Sequence, residues 1–152
     1  MIYLLLLILG VVAGLRVVTP LAALSIGAYL GWIDLTGTWA GFAGNIITVA
    51  MLVIAALIEF VTDQLPTIPS RKTPGQFGVR IVMGGLAGSI LGLVGGGWVV
   101  GLVLGAIGAV LGTLGGFEAR RALAKAFGRD LPAALVEDAV GVVIALVVAY
   151  LA

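Results

Sequence analysis

Residues 84–116, GGLAGSILGLVGGGWVVGLVLGAIGAVLGTLGG, decide the fold of this chain. The stretch holds no charged residue, and a glycine triplet at 95–97 divides it into two apolar segments. A helix that crosses a membrane needs about 20 predominantly apolar residues, and the segments 77–95 and 98–116 approach that length. Because a glycine cluster suits a tight reversal of the chain, we predict two neighbouring membrane helices here.

Glycines recur at every fourth residue on one face of the first of these helices, and the second carries a similar stripe. Lipid tails give helices no hydrophobic reason to associate, so close approach of backbones across small residues supplies much of the packing energy. The stripe predicts tight contact between these two helices or a homodimer seam; a glycine-lined path or gating face is a further interpretation. The predicted packing glycines are Gly84, Gly88, Gly92, Gly96, Gly101 and Gly105.

The whole chain has the composition of a membrane protein. Of its 152 residues, 62% are hydrophobic and 10% are charged, and the mean hydropathy is +1.28. A soluble domain of this length would need more polar residues to cover its surface. We therefore predict an all-α fold, a polytopic transmembrane helical bundle of about six spans that forms a single domain over residues 1–152. The predicted apolar segments are 2–15, 20–33, 43–63, 77–95, 98–116 and 131–151.

The charged residues predict the orientation of this bundle. A first half, 1–66, and a second half, 76–152, are joined by a proline-rich loop at 67–75. Basic residues concentrate in this loop and in 117–130, so the positive-inside rule makes that side cytoplasmic and places both termini outside. Residues 117–130 are predicted to form an amphipathic surface helix, with Asp130 capping the last span. Its basic residues, expected to contact anionic lipid headgroups, are Arg120, Arg121, Lys125 and Arg129.

A polar interruption, GLRVVTP at 14–20, separates the first two apolar segments. Proline lacks the N–H that a helix interior needs, whereas Thr19 followed by Pro20 suits an N-cap and a first helical position. Residues 2–33 therefore form either two short helices or one long span broken near Arg16. In the second case the chain would cross the membrane one time fewer.

Two short sequence words recur in the two halves. AALIE at 55–59 matches AALVE at 133–137, and LGVVAG at 9–14 resembles MGGLAG at 83–88. Three spans per half would give copies of opposite orientation, and inverted repeats of this kind occur in transporters and channels. Chance recurrence of alanine and leucine is the alternative, so the duplication is a hypothesis.

Charged and polar residues within or beside the apolar segments form the candidate site. A charge in hydrocarbon costs roughly 2.5–3.5 kcal/mol, so a retained charge usually faces a partner or a water-filled path. Glu59 and Asp63 share one helix face, and we expect Arg16 and Arg80 at the same depth as their partners. An ordinary set of interfacial charges is the alternative. The predicted substrate-binding or gating residues are Arg16, Thr19, Glu59, Asp63, Arg80, Glu137 and Asp138, the last two as the counterpart in the second half.

Several function classes find no support in the sequence. The chain has no cysteine and no histidine, so it lacks thiol chemistry, the commonest general base and the commonest metal ligand. We therefore predict that the protein is not an enzyme and holds no cofactor or metal. The net charge is only +1, and no basic run is long enough to bind nucleic acid.

Two elements of the first half resemble those of a known family. GLRVVTP at 14–20 and EFVTDQLP at 59–66 are similar to the Gly-Leu-Arg-x-x-Thr-Pro and Glu-Phe-x-x-Asp-x-x-Pro elements of small bacterial polytopic membrane proteins known only as a domain of unknown function. The resemblance continues through the proline loop and Arg80 into the glycine-rich spans. It implies a polytopic helical fold, multi-pass in the bacterial inner membrane, and favours a channel or transporter without supplying any catalytic residue.

These observations give two functional hypotheses. The first is a small channel or transporter for an unidentified polar or ionic solute, with a polar site around a broken helix. The second is a non-transporting structural or assembly protein that oligomerises through its glycine-zipper helices. In both cases the expected partners are the lipid bilayer and further copies of the chain in a homo-oligomer.

Overall fold

The computed structural model describes residues 1–65 and 73–152, which form six α-helices and one short 3-10 helix, with no β-strand among them. The all-α prediction is therefore confirmed. The predicted loop at 67–75 lies mostly outside the described residues. The helices are α1 (Ile2–Leu15), α2 (Thr19–Tyr29), α3 (Ile46–Thr62), α4 (Pro74–Gly92), α5 (Trp98–Phe127) and α6 (Asp130–Leu151), and the 3-10 helix is Gly41–Gly44.

Among the described helices, α5 and α6 are long and apolar enough to cross a membrane. The helices α1 and α3 are also apolar but have 14 and 17 residues, and α2 has 11. At 1.5 Å per residue α1 covers about 21 Å, less than the roughly 30 Å hydrocarbon core of a bilayer. Length and composition thus support two crossings, and a bundle of about six spans stays a prediction.

Helix α1 lies parallel to α5. The backbone of Gly10 approaches that of Gly105, and the backbone of Gly14 approaches that of Thr113. Residue numbers therefore rise together along the two helices. This contact is close because both faces carry glycine, which lets the two backbones meet without intervening side chains.

Helix α2 lies parallel to α6 and therefore antiparallel to α1. Arg16, just before α2, pairs with Asp138 near the start of α6, and Gly27 near the end of α2 lies against Ala149. The helices α5 and α6 are antiparallel neighbours joined by a short turn at 128–129. Because α1 runs parallel to α5, α2 runs parallel to α6, and α5 and α6 are antiparallel, α1 and α2 are antiparallel as well. They form a helical hairpin whose tip is Arg16. The two short helices that the sequence allowed are present, and one span broken near Arg16 does not describe this arrangement.

Glycine contacts hold α4 against α5. Gly88 and Gly101 meet backbone to backbone, and a Cβ on either would overlap the carbonyl of the other. Gly96 departs from the predicted stripe, because α4 ends at Gly92 and Gly96 lies in the following turn beside the Leu6 side chain. These glycine faces are occupied within one chain, so they are not available as a homodimer seam. The predicted glycines that do meet across this interface are Gly84, Gly88, Gly92, Gly101 and Gly105.

Helix α3 lies at the periphery. It packs mainly on α2 and on the 3-10 helix, and Ala56 is its one fully buried residue. The remaining surface of α3 is an apolar stripe whose side chains are more than half exposed, among them Met51, Ile54, Ile58 and Val61.

Helix α5 continues through the segment that the sequence predicted to be a separate surface helix. It ends at Phe127, where Gly128 adopts a left-handed φ of 71°, and α6 begins at Asp130 with Arg129 as its N-cap. The predictions of a separate helix at 117–130 and of an Asp130 cap are therefore wrong. The glycines at 115–116 do not end α5, because a glycine in a helix interior costs only about 1 kcal/mol, which tertiary packing outweighs.

Candidate functional site

Arg16 lies at the tip of the α1–α2 hairpin and is fully buried, with 0% of its side chain exposed. Its guanidinium pairs with the carboxylates of Asp63, directly after α3, and Asp138 in α6. The ring of Phe60 packs against the same group, with its centre 5.5 Å from Arg16 Cζ. Arg16 therefore joins the hairpin to two other helices, and it is not an exposed interfacial charge.

The N-terminus of α2 is bound by Glu59 of α3. The backbone N–H groups of Val17 and Val18 donate to its two carboxylate oxygens, at 2.5 Å and 3.0 Å. A carboxylate at a helix N-terminus satisfies N–H groups that lack a partner inside the helix and matches the positive end of the helix dipole. The predicted N-cap role of Thr19 is wrong. Thr19 is the first residue of α2, and its buried hydroxyl hydrogen-bonds to no described residue.

The C-terminus of α1 is bound by Arg80 of α4. One guanidinium nitrogen donates to the backbone carbonyls of Gly14 at 2.8 Å and of Leu15 at 3.0 Å, and Arg80 is only 2% exposed. The hydroxyl of Thr113 donates to the Ala109 carbonyl of its own helix at 2.7 Å and lies 3.4 Å from the Gly14 carbonyl. A cationic side chain, Arg80, thus lies at the C-terminus of α1, and an anionic one, Glu59, lies at the N-terminus of α2. The helix dipoles favour both of these placements.

The second-half residues do not form a separate counterpart site. Asp138 belongs to the Arg16 cluster, and the adjacent Glu137 lies 3.6 Å from a guanidinium nitrogen of Arg120. Arg120 also binds Asp130, at 2.7 Å and 3.1 Å. Arg120 is thus held by two carboxylates, whereas its neighbour Arg121 is exposed, and contact of these arginines with lipid headgroups stays a prediction.

Apart from the exposed Asp130, which Arg120 also binds, the cluster holds three arginines against four carboxylates in the part of the chain that the structure describes, so these seven side chains carry one formal negative charge. Four of these side chains are buried, those of Arg16, Arg80, Glu137 and Asp138, and the other three, Glu59, Asp63 and Arg120, are intermediate. Six of the seven predicted site residues are engaged at or beside the hairpin tip, and Thr19 adjoins it. The seven charged members are Arg16, Glu59, Asp63, Arg80, Arg120, Glu137 and Asp138.

A narrow crevice of about 130 Å³ lies between α2, α3 and α6. Phe60 lines this crevice and also packs against Arg16, with its ring centre 5.5 Å from Arg16 Cζ. Because the helices run parallel or antiparallel, the lining residues form a layer nearer Arg16 and a layer farther away. The nearer layer is Thr19, Phe60 and Val142, and the farther layer is Ile26, Val53 and Leu146.

Comparison with known proteins gives no family assignment. No protein-family model matches the sequence, and no curated protein and no solved structure was found to be similar to it. The resemblance of the Gly-Leu-Arg and Glu-Phe elements to small bacterial membrane proteins therefore stays a prediction.

Proposed function

We propose that this protein is a small polytopic membrane channel or transporter whose polar site is the tip of the α1–α2 hairpin. One observation carries the proposal: Arg16 is fully buried at this tip and is bound by carboxylates from two other helices. Following the resemblance, we place the protein in the inner membrane of a bacterium.

The depth of the hairpin tip supports this proposal. Gly14 contacts Thr113, which is 15 residues after the start of α5 at Trp98. That length of helix covers about 22 Å, whereas the hydrocarbon core is about 30 Å thick. With the apolar part of α5 in the bilayer, the tip would lie inside the membrane. Irregular backbone is tolerated at such depth where it is buried in protein or lines a cavity.

The energetics of the cluster also favour a functional role over a purely structural one. A buried ion pair is weak evidence for stability, since apolar residues of similar volume often hold a fold equally well. Ionisable residues within membrane segments mark ion pathways, proton relays or ligand counter-ions in many proteins. The Arg16 cluster places such residues at the meeting point of two helix ends, which is where discontinuous membrane helices bind solutes in known transporters.

Solute flux into proteoliposomes tests the proposal. Vesicles with the purified protein are loaded with buffer and challenged with potassium nitrate, glycerol or urea, and swelling is followed by light scattering. We expect at least one solute to enter faster than into empty vesicles, and Arg16→Ala to reduce that rate by about tenfold or more. Arg16→Lys, which keeps the charge without the planar fork, is a second variant if Arg16→Ala does not assemble.

Arg121→Ala serves as the matched control, because Arg121 is exposed and lies 4.0 Å from Glu118 of its own helix. It should transport at the rate of the natural protein. Equal rates for empty vesicles and for vesicles with the natural protein, for every solute, would contradict the proposal. So would an unchanged rate in both Arg16 variants.

The exposed stripe on α3 favours a second candidate function, a structural or assembly protein. Its apolar side chains, such as Ile54 and Ile58, are more than half exposed within one chain, and exposed apolar faces also serve as contact sites. Assembly would then use α3, since the glycine stripes are occupied inside the protomer. Because the chain has no cysteine, Ile54→Cys can be tested for disulfide-linked dimers in native membranes; their absence would weaken this candidate.

A further inference from the structure

We infer that the site at Arg16 takes a small monovalent anion that replaces an aspartate carboxylate, enters through the crevice between α2, α3 and α6, and moves together with one proton. This inference rests on the proposed function and specifies its substrate class and its path. The juxtaposition that carries it is that Phe60 both lines the crevice and packs against the guanidinium of Arg16.

The crevice supplies the path. Phe60 belongs both to its lining and to the surroundings of the Arg16 guanidinium, and we assign its ring the role of the barrier between the two. A rotation of this one side chain, or a small displacement of α3, would connect the two. A cavity of about 150 Å³ holds one benzene molecule, so the crevice of about 130 Å³ admits a solute of only a few heavy atoms.

The peripheral position of α3 makes such a displacement feasible. The helix packs on α2 and on the 3-10 helix, and most of its surface is exposed. Its C-terminal end carries three of the groups at the hairpin tip, namely Glu59, Phe60 and Asp63. Movement of this end would therefore displace the Phe60 ring and the two carboxylates together.

The charges at the tip select an anion. Arg16 is faced by Asp63 and Glu59 from α3 and by Asp138 from α6. From α4, Arg80 binds the backbone beside it. Arg16 is the group at the tip that can bind an oxyanion, and an anion can take the place that Asp63 or Asp138 holds on it. Arginine binds planar oxyanions in the same two-pronged geometry that it uses for carboxylates.

The charge balance requires a proton. Arg120 and Glu137 extend the cluster on the α5 and α6 side, and the whole set already carries one formal negative charge. An added anion would double that charge inside the protein, which is costly. When Asp63 or Asp138 takes up one proton from water, its carboxylate becomes a neutral acid and releases one side of the guanidinium. One proton on the acid and one anion on Arg16 leave the charge of the cluster unchanged.

Nitrate is a suitable probe because it is small, planar and ionised throughout the pH range of the experiment. Proteoliposomes of the natural protein with a pH-sensitive dye inside are given an inward nitrate gradient. We expect the lumen to acidify as nitrate enters, and the rate to rise as the external pH is lowered, because each anion enters together with one proton. Nitrate entry without acidification, or at a rate independent of pH, would overturn the inference.

Two variants separate the gate from the proton step. Phe60→Ala should raise nitrate entry severalfold by removing the barrier, while Phe127→Ala, an exposed phenylalanine at the end of α5, should not change it. The double variant Asp63→Asn with Asp138→Asn should pass nitrate without acidification, because each amide resembles the protonated acid permanently. Asp34→Asn, at an exposed turn, is its control. Unchanged entry in Phe60→Ala, or acidification that persists in the double variant, would contradict the assignment.

The outcomes also distinguish this inference from the proposed function. If glycerol, urea or potassium enters in an Arg16-dependent manner and nitrate does not, the protein is a transporter and the anion assignment is wrong. If no solute enters faster than into empty vesicles, both are wrong.

Discussion

Arg16 is the residue on which the arrangement of the outer helices depends. Its guanidinium binds Asp63 beside α3 and Asp138 in α6, two helices that share few direct contacts with each other. Removing one partner of a buried ion pair is far more damaging than replacing all partners together, because the remaining charges stay buried without compensation. The cluster is therefore expected to respond non-additively to substitution.

Arg16→Met should lower the free energy of unfolding by about 3–5 kcal/mol, the usual cost of breaking a buried pair. The triple variant Arg16→Met with Asp63→Asn and Asp138→Asn should recover at least part of that loss, because it also removes the carboxylates. Reversible unfolding in mixed micelles, followed by circular dichroism, measures both. In the control Arg121→Met, which breaks an exposed pair with Glu118, the change should stay within about 1 kcal/mol. Full stability of Arg16→Met would show that the ion pairs do not hold α3 and α6.

The sequence identifies most of the charged site and part of its pairing, since the expected contact between Arg16 and Asp63 is confirmed. A charge in an apolar segment is visible in any hydropathy profile, and this was enough to group Arg16, Glu59 and Asp63. The pairing of Asp138 with Arg16 depends on α6 lying beside the hairpin, which no local pattern specifies. The sequence places Arg120 at the lipid surface, because its neighbours are charged. Arg120 lies seven residues after the buried Thr113, on the glycine-bearing face of α5. This spacing indicates a position inside the helical bundle.

At the scale of elements, the glycine stripes determine how closely α1, α4 and α5 approach. The glycines of α5 serve two partners, since Gly105 meets both Gly10 of α1 and Gly84 of α4. Gly10 and Gly84 also occupy matching positions in the repeated words at 9–14 and 83–88. The helix lengths, however, do not follow a repeat: α2 and α5, which a duplication would equate, have 11 and 30 residues. The similarity of the segments 9–14 and 83–88 is explained by the similar packing of Gly10 and Gly84 against α5. The inverted repeat stays a hypothesis.

Substitution of two glycines of α5 tests this packing. A Cβ at Gly105 would overlap the Gly84 carbonyl, whereas a Cβ at Gly115 would meet no described atom within 4 Å. Gly105→Ala should therefore destabilise the protein by about 1–3 kcal/mol through overpacking. Gly115→Ala should stabilise it by up to about 1 kcal/mol, because alanine favours the helix over glycine. Thermal unfolding in the same detergent compares the two, and an equal effect of both would rule out tight α4–α5 contact as the source of stability.

At the scale of the whole molecule, the contacts show which loops and helix ends lie together at each end of the bundle. The α1–α2 tip, the end of α3 and the start of α6 lie together, as the Arg16 contacts require. The 3-10 helix and the start of α3 lie at the other end of α2, where Gly44 meets Ala28. Composition predicts this helical molecule because helices satisfy their own backbone polar groups in lipid. The number of crossings does not follow from composition, since short helices packed inside a bundle can also be apolar.

The orientation of the bundle gives a prediction for the whole molecule. Thr36 lies in the connection between α2 and α3, and Lys125 lies in the last turn of α5, on opposite ends of the bundle. Basic residues around Lys125 should keep that end in the cytoplasm. A membrane-impermeant maleimide should therefore label Thr36→Cys in intact cells stripped of their outer membrane, and label Lys125→Cys only after permeabilisation. The natural chain, which has no cysteine, provides an unlabelled background. Labelling of both positions from outside would contradict a crossing by α5, and the reverse pattern would invert the proposed orientation.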